Sequence, residues 1–163
     1  MRLTREADYA VRIIVDLAAA PDVLVPRRAI QRRQEVPAAH LAKIVQLLRR
    51  AGLVKTWRGA QGGVALALPP EKITLRRVVE AVEGPLALNL CLVAPGTCSR
   101  ESFCPVHPVW RRVQAILVRE LDAVTAASLA QPGRQLLQER SLPTKGQPMC
   151  EPKARELHAQ LVS

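Results

Sequence analysis

The sequence lacks the features that mark secreted proteins, membrane proteins and common enzymes. Its first residues, Met-Arg-Leu-Thr-Arg-Glu, do not resemble a signal peptide. No apolar run approaches the roughly 18 residues of a membrane-spanning helix. There is no Walker loop, dinucleotide-binding fingerprint or catalytic serine motif. We therefore expect a cytoplasmic protein that is not an enzyme and has no membrane partner.

Acidic residues are scarce compared with basic ones. The 163 residues include 24 Lys and Arg but only 14 Asp and Glu, which gives a net charge of +10. Residues 1–63 hold 12 basic and 5 acidic side chains, so most of the excess lies there. Such a charge favours polyanions, either nucleic acid or an anionic membrane surface. The N-terminal part is therefore the expected DNA-facing part.

The first 84 residues follow the order of elements in a winged helix-turn-helix domain. Three helices are predicted, beginning near Thr4, Pro26 and Pro37. The third has an apolar stripe that we expect to be buried, formed by Leu41, Ile44, Val45 and Leu48. Two strand-like runs, 53–57 and 64–68, then flank a segment with three glycines, Arg58-Gly-Ala-Gln-Gly-Gly63, which indicates a tight turn. We assign residues 1–84 to this domain and expect Arg58 at the wing tip to suit a minor groove.

Three of the four cysteines fall within fourteen residues, at Cys91, Cys98 and Cys104. In a chain without a secretion signal, crowded thiols more often hold a metal than form disulfides. Gaps of six and five residues are wider than the CxxC pairs of structural zinc sites. An iron–sulfur cluster, whose irons take thiolate ligands, is therefore favoured, with zinc and unligated or redox-paired thiols as alternatives. Cys150 stands apart, in a polar segment, 131–163, that we predict to be a flexible tail.

A long helix is predicted after the cysteine-rich loop, which spans residues 85–107. An apolar stripe follows one side of this helix and includes Val109, Val113, Ile116 and Leu117. The stripe exceeds what a lone peripheral helix needs, so residues 108–130 are assigned to a dimerisation helix, with packing into the protein's own core as the alternative. The expected fold is mainly α with a small β-hairpin.

Four motifs, in the family's order, resemble the IscR/NsrR-type family of bacterial winged helix-turn-helix iron–sulfur regulators. They are the opening Met1–Val11, the segment Leu48-Arg-Arg-Ala-Gly-Leu-Val54, the wing Arg58-Gly-x-x-Gly-Gly63, and Cys91…Cys98…Cys104-Pro-Val-His107-Pro-Val-Trp110. The resemblance implies a homodimeric cytoplasmic transcription factor whose operator binding is controlled by a cluster that senses redox state, nitric oxide or iron–sulfur status. A cluster-free or zinc-containing winged-helix regulator that uses cysteine thiol chemistry is the alternative.

The resemblance implies a cluster held by Cys91, Cys98 and Cys104 together with a fourth ligand that the sequence leaves open. IscR-like members have a histidine where this chain has His107, whereas NsrR-like members use an aspartate of the partner subunit, placed as Asp8 is here. A histidine ligand suits a two-iron site, so a 2Fe–2S cluster is favoured over a 4Fe–4S cluster. The first cysteine gap is one residue longer than is usual in IscR-like members.

The resemblance also implies contacts to double-stranded DNA with a roughly palindromic operator. The expected contacts are His40 and Lys43 to base edges, Arg49, Arg50 and Lys55 to phosphates, and Arg58 and Gln61 in the minor groove. The third helix would lie in the major groove, and a dimer would present two such helices to successive grooves.

Overall fold

A computed structural model describes residues 3–59, 61–94 and 96–131. The α-helices are α1 (Arg5–Ala18), α2 (Arg27–Gln34), α3 (Ala38–Arg50), α4 (Leu75–Glu83) and α5 (His107–Ala123). Strands β1 (Val54–Thr56) and β2 (Val64–Leu66) form an antiparallel hairpin, and short 3-10 turns cover Pro70–Lys72 and Leu90–Leu92. This arrangement confirms the mainly α fold with a small hairpin. Cys150 and the predicted tail from residue 132 onward lie outside the described residues.

Local side chains and backbone geometry determine where the helices begin and end. The hydroxyl oxygen of Thr4 accepts a hydrogen bond from the Ala7 N–H at 3.3 Å and caps α1. The turn between α2 and α3 is three residues long and passes through Glu35, whose φ of 53° lies in the left-handed region. After α3, Gly52 adopts a φ of 70° and leads the chain into β1. These turns produce the helix-turn-helix and wing in the predicted order.

The core of the protein lies where α1, α3 and α4 meet. The whole apolar stripe predicted for α3 is buried there: Leu41, Ile44, Val45 and Leu48. A charged side chain, Asp16 of α1, is also buried, and its carboxylate pairs with the Arg33 guanidinium of α2 at 2.7 Å. Burial of a carboxylate is costly unless it is paired and hydrogen-bonded, so this contact fixes α2 against α1.

The long helix α5 has an exposed apolar face. None of its residues is fully buried, and the side chains of Val109, Trp110, Val113 and Ile116 are 36–47% exposed. The helix ends at Ala123, and the chain then turns back to the core, where Ala126 and Ala130 are buried. The last part of the predicted 108–130 segment therefore packs with the winged-helix domain. Among the described residues, no helix has both the length and the apolar character needed to cross a membrane.

Candidate nucleic-acid interface and cysteine loop

The wing is joined to the segment that precedes α2. The N–H groups of Val25 and Val64 each donate to the other residue's carbonyl oxygen at 2.9 Å. At the tip, the N–H groups and carbonyls of Trp57 and Gly63 pair in the same way, at 3.0 and 3.1 Å. These paired backbone bonds fix the position of the wing relative to the start of α2.

Two wing glycines are required because the backbone passes too close for any side chain. A Cβ at Gly62 would collide with the carbonyl oxygen of Trp57, and one at Gly63 would lie 2.5 Å from the carbonyl oxygen of Val25. Gly59 adopts a φ of 102°, which L side chains rarely tolerate. The glycine pattern of the wing thus has a steric origin, and it leaves Arg58 and Gln61 exposed at the tip.

The predicted base-reading residues of α3 lie against α1. The Nζ of Lys43 is 2.8 Å from both carboxylate oxygens of Glu6, and the Nδ1 of His40 is 3.6 Å from Oε1 of the same residue. The His40 ring also packs at 5.9 Å from the Tyr9 ring. The hydrogen bond from Lys43 is the main cause that lowers the pKa of Glu6 below its ordinary value. The Glu6 carboxylate thus lies beside both His40 and Lys43, a contact that the sequence pattern did not reveal. Their contact with base edges stays a prediction.

The predicted phosphate contacts are all exposed. Arg49 and Arg50 lie in the last turn of α3, and Lys55 lies on β1. In the part of the chain that the structure describes, none of these three side chains forms an ion pair. Their charge is therefore available to an external polyanion.

Sequence reasoning missed further residues on the same side of the protein. Arg27 and Arg28, in the first turn of α2, and Trp57, at the end of β1, line a cavity of about 570 Å³ together with Arg58. The sequence did contain a signal for them, because two arginines directly after Pro26 indicate that the basic patch continues onto α2.

The first residues of the cysteine loop are hydrogen-bonded to the middle of α5. The side-chain oxygen of Gln114 accepts from the Leu88 N–H at 3.0 Å, and its amide nitrogen donates to the Leu86 carbonyl at 2.6 Å. At the other end of the loop, the His107 N–H donates to the Cys104 carbonyl at 3.2 Å. The loop therefore connects α4 to α5 and is tied to α5 at both ends.

The side chains of the loop match the donors of an iron–sulfur cluster in kind. Cys91, Cys98 and Cys104 are free and partly buried, and His107 is 12% exposed, with Nε2 4.0 Å from the Glu101 carboxylate. Thiolates with an imidazole form a known ligand set for iron–sulfur clusters. Within the described ranges, however, no three His, Cys, Asp or Glu side chains are grouped closely enough to hold a single metal ion.

Asp8, the other candidate ligand, lies on α1 rather than in the loop. Its carboxylate pairs with the Arg12 guanidinium at 2.7 Å, and its side chain is 53% exposed. Asp8 would have to leave this pair in order to bind a metal. The choice between His107 and Asp8 as the fourth ligand stays a prediction.

The comparisons with known proteins agree with this fold. Residues 3–132 match the Rrf2 family, described as iron-dependent transcriptional regulators. The HTH-type transcriptional regulator IscR of Aliivibrio salmonicida is 32% identical over 130 residues, which are 79% of this chain and 77% of that protein. The solved structure of T. potens IscR covers 90% of this chain and 94% of its own, with a TM-score of 0.62 and 27% identity.

A second solved structure is that of CymR, the global cysteine regulator of B. subtilis. It covers 80% of this chain and 97% of its own, with a TM-score of 0.65 and 27% identity. These results confirm the predicted resemblance and the winged-helix fold, and they confirm that the protein is a regulator rather than an enzyme. The chain belongs to the Rrf2 family of transcriptional regulators.

Proposed function

We propose that the protein is a homodimeric regulator whose binding to a palindromic operator is controlled by an iron–sulfur cluster in the cysteine loop. The observation that carries this proposal is the position of the loop. Three free thiols, Cys91, Cys98 and Cys104, lie between α4 of the winged-helix domain and the exposed helix α5. A change in this loop would therefore act on both the DNA-binding part and the dimer contact.

The apolar face of α5 supports a homodimer. Its exposed side chains, at intervals of one helical turn, are Val106, Val109, Trp110, Val113 and Ile116. A contiguous apolar surface on a regulator is a common mark of a protein interface. A second copy related by a twofold axis would cover the same face on each subunit, and would place two α3 helices on successive major grooves.

The residues that would hold the cluster are Cys91, Cys98 and Cys104, with His107 or Asp8 of the partner subunit as the fourth ligand. When bound, a 2Fe–2S cluster would supply a redox- and nitric oxide-sensitive centre that cross-links the loop. Gln114 would transmit the state of the loop to α5 through its two hydrogen bonds to the loop's first residues. The result would be a population shift between arrangements of the two DNA-binding halves.

On the DNA side, each predicted contact has a distinct role. His40 and Lys43 would reach base edges from α3, while Arg49, Arg50 and Lys55 would neutralise phosphates. Arg58 and Gln61 would enter the minor groove from the wing. Two features support these roles: the basic residues are exposed, and most of them have no ion pair in the described ranges. The exceptions are His40 and Lys43, which contact Glu6.

Two observations favour a second function, in which the regulator responds through its thiols without a cluster. The described side chains do not gather three donors around one point, and the structurally similar CymR is named as a cysteine regulator. Partly exposed thiols on a loop can themselves be oxidised reversibly. In this case Cys91, Cys98 and Cys104 would act as redox-active thiols. Zinc binding, the other alternative, would require these thiols to move together around one ion.

Metal analysis of anaerobically purified protein separates the two functions. The cluster proposal predicts coloured protein with at least two irons and matching sulfide per subunit. Cys98→Ser should remove the colour, while Cys150→Ser should leave the iron content unchanged because Cys150 lies outside the motif. Colourless protein, or stoichiometric zinc, would support the thiol or zinc alternative.

A further inference from the structure

A cleft separates the start of α2 from the wing. Its volume is about 570 Å³, and its walls include Arg27 and Arg28 on one side and Trp57 and Arg58 on the other. We call it the wing cleft. The family resemblance and the predicted contacts account only for Arg58 among these side chains, so the other three have no assigned role.

The charge of the wing cleft is uncompensated. Three arginines are among its lining residues, and no acidic residue is. Some other arginines are paired with carboxylates, as Arg33 is with Asp16 at 2.7 Å and Arg76 with Asp122 at 3.1 Å. In the described ranges, Arg27, Arg28 and Arg58 have no such partner. Like charges this close repel one another, so the wing cleft favours an anionic ligand.

The shape of the wing cleft points to a ligand larger than a free anion. The Trp57 side chain is 48% exposed, although an indole of this size is usually covered. An indole offers a flat apolar surface, and guanidinium groups bind phosphate oxygens in pairs. A phosphate joined to a sugar can contact both the arginines and the Trp57 indole, whereas a free phosphate can pair only with the arginines.

The two walls are held at a constant separation. Val25, two residues before Arg27, exchanges two backbone hydrogen bonds of 2.9 Å with Val64 of the wing. On the wing side, Gly62 and Gly63 lie too close to neighbouring backbone for any side chain to fit. The wing cleft is therefore preformed, and binding would not require ordering of its walls.

We infer that Arg27 and Arg28 of the wing cleft bind a backbone phosphate of duplex DNA, with the attached deoxyribose against Trp57. This inference rests on the proposed DNA-binding function and adds to it a contact made by α2. The contact reads no base, so it contributes affinity to every sequence equally. It also anchors the strand beside the groove that Arg58 enters.

A salt titration of DNA binding tests this inference. A duplex is first selected from a random library with the full-length protein and compared with a scrambled duplex. Replacing Arg27 and Arg28 together by Ala should weaken binding to both duplexes by about tenfold or more at low salt. It should also flatten the dependence of log K on log salt by about one unit, since one lost phosphate contact removes about 0.9. Arg119→Ala is the control, because Arg119 is 74% exposed on α5 and, among the described residues, pairs with the adjacent Glu120 alone. This variant should change neither quantity.

The outcomes separate the inference from the proposed function. If the wild-type protein selects no duplex, the proposed function fails. If the wild type binds and the Arg27, Arg28 variant keeps both its affinity and its salt slope, the wing cleft does not contact DNA and only the inference fails. Equal thermal stability of the variant and the wild type shows that any loss reflects contact rather than folding.

Tryptophan fluorescence gives a second readout. Addition of duplex to the wild type should change the emission, and Trp57→Phe should abolish that change while leaving Trp110 as the remaining tryptophan. Millimolar inorganic phosphate should not reproduce the change. If phosphate alone changes the emission in the same way, the wing cleft is a small-anion site. If duplex changes the emission of Trp57→Phe as much as that of the wild type, Trp57 does not contact DNA. Either result overturns the inference.

Discussion

Glu6 of α1 holds Lys43 of α3 through both carboxylate oxygens, each 2.8 Å from Nζ. His40 adds a weaker contact at 3.6 Å, so one carboxylate restrains both predicted base-reading residues. The pair connects the first helix to the recognition helix. It orients the Lys43 side chain, and the Glu6 carboxylate offsets the positive charge of Lys43. DNA bases must therefore compete with Glu6 for Lys43.

The Glu6 pair should contribute to stability only above acidic pH. Its hydrogen bond with Lys43 is the main cause that lowers the pKa of Glu6, so the contribution is present above the ordinary carboxyl pKa and is lost as pH falls through the lowered value. Glu6→Gln should therefore flatten the fall in melting temperature between pH 6 and pH 3. Glu71→Gln, at an exposed glutamate without an ion pair in the described ranges, is the control. Identical pH profiles for Glu6→Gln and the wild type would show that the pair contributes nothing.

Replacing Arg58 by Ala and replacing Arg49 by Ala should weaken DNA binding in different ways. Arg58 lies at the wing tip and is expected to read a narrow A·T-rich minor groove, so its loss should cost about 1–3 kcal/mol on the selected duplex only. Arg49 is expected to contact a phosphate, so its loss should weaken both duplexes and flatten the salt slope by about one unit. The measurement is a salt titration on selected and scrambled DNA. Equal losses on both duplexes for Arg58→Ala would make it a backbone contact.

The exposed face of α5 should carry the dimer contact. Val113→Asp places a charge in the middle of that face, where desolvation is unfavourable, and should convert a dimer to a monomer in sedimentation experiments. Ala115→Asp introduces the same charge on the opposite side of the helix, where the residue is exposed, and should leave the dimer intact. A monomeric wild type, or a Val113→Asp dimer of unchanged strength, would contradict the assignment.

The fourth cluster ligand can be decided by comparing two variants. If His107 is the ligand, His107→Ala should alter the absorption spectrum and shorten the lifetime of the cluster in air, while Asp8→Ala leaves both unchanged. The reverse result would assign the site to Asp8, whose pair with Arg12 would then have to break. A cluster that is unchanged in both variants would exclude both residues.

Local sequence patterns predicted much of the fold. The stripe from Leu41 to Leu48 is buried as expected, because helical periodicity is a local property that survives folding. The wing was recognisable from its glycines, since no residue with a side chain fits at Gly62 or Gly63. The order of these elements was sufficient for the winged-helix assignment.

Contacts between distant segments could not be predicted in this way. Glu6 and Lys43 are separated by 37 residues, and nothing in either helix alone indicates their pairing. The return of Ala126 to the core and the joining of Val25 to Val64 likewise depend on how elements pack in space. The wing cleft was missed for the same reason, because its two walls are about thirty residues apart in the sequence.

The central proposal is that the state of the cysteine loop controls DNA binding. The most direct test is a comparison of one anaerobic preparation before and after removal of its iron, with affinity for the selected duplex measured at the same salt concentration. We expect the affinity to change by tenfold or more, about 1.4 kcal/mol, and expect Cys98→Ser protein to behave as the iron-free form whatever the iron supply. Equal affinity of the iron-loaded and iron-free forms would contradict control by a cluster.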